Sequence, residues 1–136
     1  MARTVVVGDI HGCYDELLDL LEKVGFAPED RLVSVGDLVV KGEKNREVLD
    51  LFGSDARFSS VLGNHDRAVL RALRGERIEL KASQEKCVGE LGPDAARYAD
   101  FLGALPHLFD LGSHVVVHAG VRPGVALPFS LSFSSS

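Results

Sequence analysis

The 136-residue sequence predicts a single α/β domain, a layered sheet with flanking helices, and three observations carry that prediction. Four short β-branched runs alternate with amphipathic helical patterns. Each run stops at a loop of the same grammar, glycine beside an Asp, Asn or His. The resulting order β–α–β–α–β–α needs only short connections, as an α/β layer does.

The runs are Thr4–Val7 (TVVV), Arg31–Val35 (RLVSV), Ser60–Leu62 (SVL) and Val115–Val117 (VVV). Their apolar character is continuous rather than alternating, which suits strands covered on both faces. A first helix is predicted over Cys13–Val24, where Leu17, Leu20, Leu21 and Val24 recur at helical spacing and Gly25 stands ready to stop it. Glu43–Phe52 repeats the pattern through Val48, Leu51 and Phe52 before Gly53. Asp66–Arg74 repeats it through Val69, Leu70 and Leu73 before Gly75. Glu76–Leu105 reads as a mostly helical insertion. A helix over Pro93–Leu105 would draw contacts from Ala96, Tyr98, Phe101 and Leu102, and Gly89 and Gly92 mark a break before it. The sequence divides into a domain over residues 1–128 and a frayed Ser-rich tail over 129–136 (FSLSFSSS).

Composition narrows the class. The chain is 46% hydrophobic and carries 15 Lys and Arg against 20 Asp and Glu, a net charge of −5. A global polybasic footprint for nucleic acid or an anionic membrane is absent. Apolar runs of a few residues are too short for a membrane span, and the N-terminus lacks a signal-peptide pattern. Cys13 and Cys87 make no disulfide framework. Neither G-x-G-x-x-G nor a P-loop occurs, so a metal-free nucleotide-binding domain is disfavoured. These features predict a soluble, reduced, cytoplasmic protein without a membrane partner.

The chemistry gathers just after the strands, where an open α/β sheet presents the crevice at its carboxyl ends. Asp9 and His11 alternate in the first loop, Asp37 follows in the second, Asn64 and His65 in the third, and His118 in the fourth. Taken singly, an Asp after a strand is commonly a turn former or helix N-cap. Repetition at successive strand ends points instead to one site. Carboxylate, amide and imidazole donors without thiolate suit Mn, Fe, Co, Ni or Zn better than a sulfur-bound structural zinc. Flanking glycines permit sharp turns and close backbone approach.

GDIHG, GDLVVKG, GNHD and HAG, in that order from Thr4 to about Pro123, resemble the calcineurin-like metallophosphoesterases of the phosphoprotein phosphatase superfamily. GDIHGCYDELLDLL and the Lys-bearing second motif are most similar to the symmetrical bis(5'-nucleosyl)-tetraphosphatases and their ApaH-like relatives. The resemblance implies a layered metallophosphoesterase-type sheet whose second half lies beyond this chain. It also implies two divalent metal ions, Mn favoured. Asp9 and His11 would ligate the first, Asp37 would bridge both, and Asn64 and His118 would bind the second. His65 would be the general acid beside the leaving group, Lys41 would replace a phosphate-clamping arginine, and Arg122 lies near enough to touch phosphate. The implied activity is hydrolysis of phosphoanhydride bonds in nucleoside polyphosphates such as diadenosine tetraphosphate, with capped RNA as a further substrate.

The sequence departs from the family pattern in two places. Protein phosphatases carry GDxVDRG, in which an Asp orients the catalytic His, and Val40 stands at that position here. A weaker acid suits a nucleotide, which leaves as a stable anion, better than a serine alkoxide. The sequence also ends eighteen residues after His118, with no later histidine to complete the second metal site. Two alternatives therefore accompany the polyphosphate hydrolase: a protein serine/threonine phosphatase, and an inactive truncated fragment or metal- or phosphate-binding module. Lys41 reads alternatively as a solvated loop lysine, and Arg67, Arg71 and Arg74 as a solvated helix face. His107 reads as structural or exposed, His114 as lying at the far end of its strand, and Cys87 as inert.

Overall fold

A computed structural model of the chain describes residues 3–8, 10–111, 115–118 and 120–122. Three parallel strands form the first sheet, in the order β1 (Thr4–Val7), β2 (Arg31–Ser34) and β3 (Phe58–Ser60). Val5 pairs with Leu32, and Leu32 in turn with Phe58. Parallel neighbours require a crossover. Helix α1 (Tyr14–Lys23) supplies the first and α2 (Asn45–Ser54) the second. After β3 the chain runs through α3 (Asn64–Leu73), α4 (Ala82–Leu91), a 3₁₀ turn (Gly92–Asp94) and α5 (Ala95–Gly103).

The predicted helices are present, with revised ends. Gly25 terminates α1 as read: it sits at φ +63°, and its N–H donates to the Glu22 carbonyl at 3.1 Å. Gly53 does not stop α2, which continues to Ser54, and a Cβ there would make only ordinary contact with the Phe101 ring at 3.6 Å. Helix α3 begins two residues before the predicted start, because Gly63 is its N-cap and the Asp66 carboxylate accepts the Gly63 N–H at 3.1 Å. Gly89 does not interrupt the insertion and lies inside α4, on a side where nothing approaches within 4 Å. In α5, Tyr98, Ala99 and Leu102 face the core, whereas Ala96 is exposed.

The strand assignments need two corrections. The third run pairs over Phe58–Ser60, not Ser60–Leu62. Val61 still donates to the Ser34 carbonyl at 3.2 Å, but Leu62 turns its N–H to Pro106 at 2.9 Å, and the ladder ends. The fourth run does not join this sheet. As β5 (Val115–Val117) it is the middle strand of an antiparallel sheet with β4 (Leu108–Asp110) and β6 (Gly120–Arg122).

The two faces of the first sheet account for the continuous apolar strands. Val7, Leu32 and Phe58 pack with the helical layer, in a cluster that includes Leu17, Val48, Phe52, Val69, Tyr98 and Leu102. Val33 and Val61 pack the other way, against Val116 of β5, with Phe109 and Leu111 alongside. Alternate residues of one strand thus serve two apolar layers, and no polar face remains to break the run. Among the described residues, no helix is long and apolar enough to cross a membrane.

Candidate functional site

The carboxyl ends of β1, β2 and β3 open into three loops, whose segments Ile10–Gly12, Val35–Gly42 and Val61–Gly63 lie against one another. His11 and Gly12 donate their N–H groups to the carbonyls of Asp37 and Leu38, each at 2.8 Å. Gly42 donates in return to the His11 carbonyl. A Cβ on Gly63 would fall 2.2 Å from the Asp37 nitrogen, and one on Gly36 would fall 2.7 Å from His118 Nδ1. Glycine is required at both positions because backbone occupies the space a side chain would need, and Gly36 adds a φ of +105°. His11 (φ +49°) and Asp37 (φ +55°) occupy the left-handed region that Asp and His tolerate better than most residues. Val40, at φ +108°, is β-branched and buried, a strained conformation held by its surroundings.

The side chains meet at the mouth of this junction. Asp37, 6% exposed, accepts the His65 N–H on Oδ1 at 3.0 Å, while its Oδ2 lies 3.5 Å from His118 Nε2. His118 Nδ1 donates to the Val35 carbonyl at 3.0 Å, which ties the end of β5 to the end of β2. His11 Nδ1 donates to the Val39 carbonyl at 3.2 Å, and the His11 and His65 rings stand edge-on with centroids 5.4 Å apart. Asn64, the first residue of α3, lies between Gly63 and His65 with an exposed side chain. His11, Asp37, Asn64, His65 and His118 therefore come together as the sequence predicts. Asp9 lies outside the described residues, as does His114, and Arg122 is described only by its backbone position in β6.

His11 and His118 share a feature suited to metal binding. Each commits Nδ1–H to a backbone carbonyl, which fixes the ring and turns Nε2 toward the site, the arrangement ligating histidines commonly adopt. With the Asp37 carboxylate and the Asn64 amide, these imidazoles fit a borderline divalent cation. Among the described residues, no three His, Cys, Asp or Glu side chains close into a complete metal-holding group.

Three supporting residues escaped the sequence reading. Asp66 is fully buried; one carboxylate oxygen accepts the Val39 N–H at 3.3 Å and the other the Gly63 N–H at 3.1 Å. Burial pushes its carboxyl up to about 7 against the pull of these bonds. Asn45 accepts the Val40 N–H at 2.9 Å and donates to Gly42 and Glu90, which clamps the strained end of the second loop. Gln84, on α4, reaches His65 Nδ1 at 3.1 Å. Only the last residue of GNHD offered a signal, an acidic side chain at the third position of a helix. Asn45 and Gln84 lie in unremarkable helical sequence.

The electrostatics are basic at the rim. Burial lowers the His65 pKa; Asp37 opposes that shift, while His11, Lys41 and Lys81 add to it. Lys41 is exposed and within electrostatic reach of the site, and so is Lys81, which the sequence reading passed over. Lys44 is instead paired with Asp15 at 2.9 Å beside a cleft of about 290 Å³ lined by Gly12, Tyr14 and Gly42. Arg71 pairs with Glu76 at 3.0 Å, in line with a solvated face for α3. His107 is exposed as read. Cys87 is fully buried, with its thiol pushed up to about 12, and both cysteines are free.

Comparison with known proteins agrees with this geometry. Residues 2–131 match the model of the calcineurin-like phosphoesterase family. A symmetrical bis(5'-nucleosyl)-tetraphosphatase of Actinobacillus succinogenes is 39% identical over 126 residues, covering 88% of this chain and 45% of the relative. A crystal structure of a candidate diadenosine tetraphosphatase superposes with a TM-score of 0.66 at 34% identity, over 93% of this chain and 57% of the other. A metallophosphoesterase from Sphaerobacter thermophilus gives 0.64 at 25% identity, over 82% and 44%. The chain thus spans somewhat under half the length of the curated relatives it matches.

Proposed function

Because this chain belongs to the calcineurin-like phosphoesterase family, we propose that it hydrolyses phosphoanhydride bonds of a nucleoside polyphosphate of the diadenosine tetraphosphate type, using two divalent metal ions. The observation that carries the reading is the meeting of Asp37 with His118 at 3.5 Å, beside a His11 ring held through Nδ1 by the Val39 carbonyl. His11 and Asp37, with Asp9, would hold one ion; Asp37, Asn64 and His118 would hold the other. When bound, such a pair supplies a water of lowered pKa and neutralises charge on the attacked phosphate.

The chain's own residues supply the rest. Lys41 attracts the phosphate chain as a point charge rather than a bidentate fork. Arg122 would add a second contact, and His65 would stand beside the leaving-group oxygen. Val40 offers no carboxylate to strengthen an acid, which favours a leaving group that departs as a stable anion over a serine alkoxide. Capped RNA contains the same type of bond and is the second substrate to test. Manganese is the metal we favour, and the two free cysteines favour a cytoplasmic setting.

The test measures turnover of diadenosine tetraphosphate, a capped oligonucleotide and a phosphoserine peptide, with and without Mn²⁺, by the native chain and by Asp37→Asn. Mn²⁺-dependent release of nucleotide that is lost in the variant is expected. Faster turnover of the peptide would favour a protein phosphatase. No turnover, with one ion or none bound per chain, would favour the inactive module.

A further inference from the structure

The three site histidines are held in two different ways, and the difference assigns them different chemistry. His11 and His118 each direct Nδ1 at a backbone carbonyl, to Val39 at 3.2 Å and to Val35 at 3.0 Å. A carbonyl only accepts, so in both rings Nδ1 carries a proton. His65 Nδ1 meets no carbonyl. It meets Gln84 Nε2 at 3.1 Å.

The Gln84 amide can be oriented from its other contact. Its Oε1 accepts the Lys81 backbone N–H at 2.9 Å, at the start of α4. An N–H can only donate, so the oxygen must lie on that side and the NH₂ must face His65. Gln84 is 8% exposed, so reversing the amide would bury two donors against each other. The NH₂ therefore donates to a His65 Nδ1 that carries a lone pair, and the ring's proton lies on Nε2.

We propose that Gln84 is the positioning residue of His65, holding it as the neutral Nε2–H tautomer that donates a hydrogen bond to the leaving oxygen without transferring its proton. The inference rests on the hydrolase reading for its catalytic meaning, though not for the tautomer itself. A neutral imidazole that gave up its Nε2 proton would become an imidazolate, so it stabilises the departing oxygen and keeps the proton. In the step itself, water supplies the oxygen that bonds to phosphorus. The phosphorus–oxygen bond to the leaving nucleotide breaks, its electron pair stays on the nucleotide oxygen, and the protons of water pass to solvent. Only a leaving group stable as an anion tolerates this, and a nucleoside polyphosphate provides one. Gln84 thus specifies substrate class from the insertion rather than from the motif loops, acting where the protein phosphatases use the carboxylate that Val40 replaces.

The test is histidine-¹⁵N NMR of the full chain, without metal and with diamagnetic Mg²⁺, alongside Gln84→Glu. In the native protein, His65 is expected to carry its proton on Nε2 with Nδ1 bare, while Nδ1 of His11 and of His118 is protonated. Glu at position 84 can still accept the Lys81 N–H with one oxygen, and the other would accept from His65. His65 should then carry a proton on both ring nitrogens, an imidazolium able to give its Nε2 proton to the leaving oxygen. The ratio of phenyl phosphate turnover to diadenosine tetraphosphate turnover should rise at least tenfold. A native His65 protonated on Nδ1 at neutral pH overturns the inference, and so does a ring protonation pattern or turnover ratio that Gln84→Glu leaves unchanged. If the native chain does not turn over the tetraphosphate, the functional reading fails, and the native spectrum alone decides the tautomer.

Discussion

Replacing Asp66 should uncouple the second site loop from the third. The side chain is wholly buried and accepts two backbone N–H groups, Val39 at 3.3 Å and Gly63 at 3.1 Å, from loops far apart in sequence. In Asp66→Ala both donors lose their partner in a dry environment. Each orphaned donor costs about 1–3 kcal/mol, so the pair comes to about 4 kcal/mol. In Asp66→Asn one oxygen still accepts, while the amide NH₂ opposes the second donor; about 2 kcal/mol is expected. At about 4 °C per kcal/mol for a chain of this size, the melting temperature should fall by about 15 °C and about 8 °C. Urea titration with a shared m-value would confirm the loss as native-state destabilisation. The same series should show a smaller Mn²⁺-induced rise in melting temperature, because Asp37 and Asn64 would no longer be fixed relative to each other. An Asp66→Ala protein within about 0.5 kcal/mol of the native chain would refute the argument, since a buried clamp cannot be lost at the cost of an ordinary surface change.

Two glycine substitutions should move in opposite directions. Gly89→Ala, in the exposed interior of α4 with open space around it, should raise stability by about 0.5–1 kcal/mol by thermal denaturation. Gly63→Ala places a Cβ 2.2 Å from the Asp37 nitrogen; it should cost about 1–3 kcal/mol and abolish Mn²⁺ binding in a calorimetric titration. Asn45→Ala removes the acceptor at 2.9 Å from Val40, so the strained loop end should relax; a loss of about 1–3 kcal/mol and faster amide exchange at Val40 are expected. Asp30 is held down to about 2 by its hydrogen bonds with Arg3 and by the Ala27 N–H. Its folded value lies below its unfolded one, so its stabilisation is complete above the unfolded carboxylate range of about 3.9 and disappears as pH falls toward 2. Asp30→Asn should flatten the acid-unfolding profile across that window, as followed by circular dichroism.

The motif loops are legible in sequence because their requirements are local. A glycine that must leave space for backbone, and an Asp or His in a left-handed turn directly after a strand, announce themselves by residue type. His11, Asp37, Asn64, His65 and His118 could be named on that basis. Gln84, Asn45 and Asp66 act on backbone or side chains of other segments. An amide on a helix looks the same whether it faces solvent or a catalytic imidazole. Val115–Val117 was misplaced for a related reason: apolar valines report that both faces are covered, but not which sheet supplies the cover.

By itself, then, the sequence determined the first two strands, the helices that follow the strands and the polar residues at the strand ends, because periodicity and turn chemistry act over a few neighbouring positions. Only the tertiary structure decided that β5 belongs to a second sheet, that His118 closes on Asp37 from it, and that α4 turns Gln84 onto His65. Those outcomes depend on which distant surfaces pack and on which buried donor finds which acceptor, and no local stretch of chain encodes either.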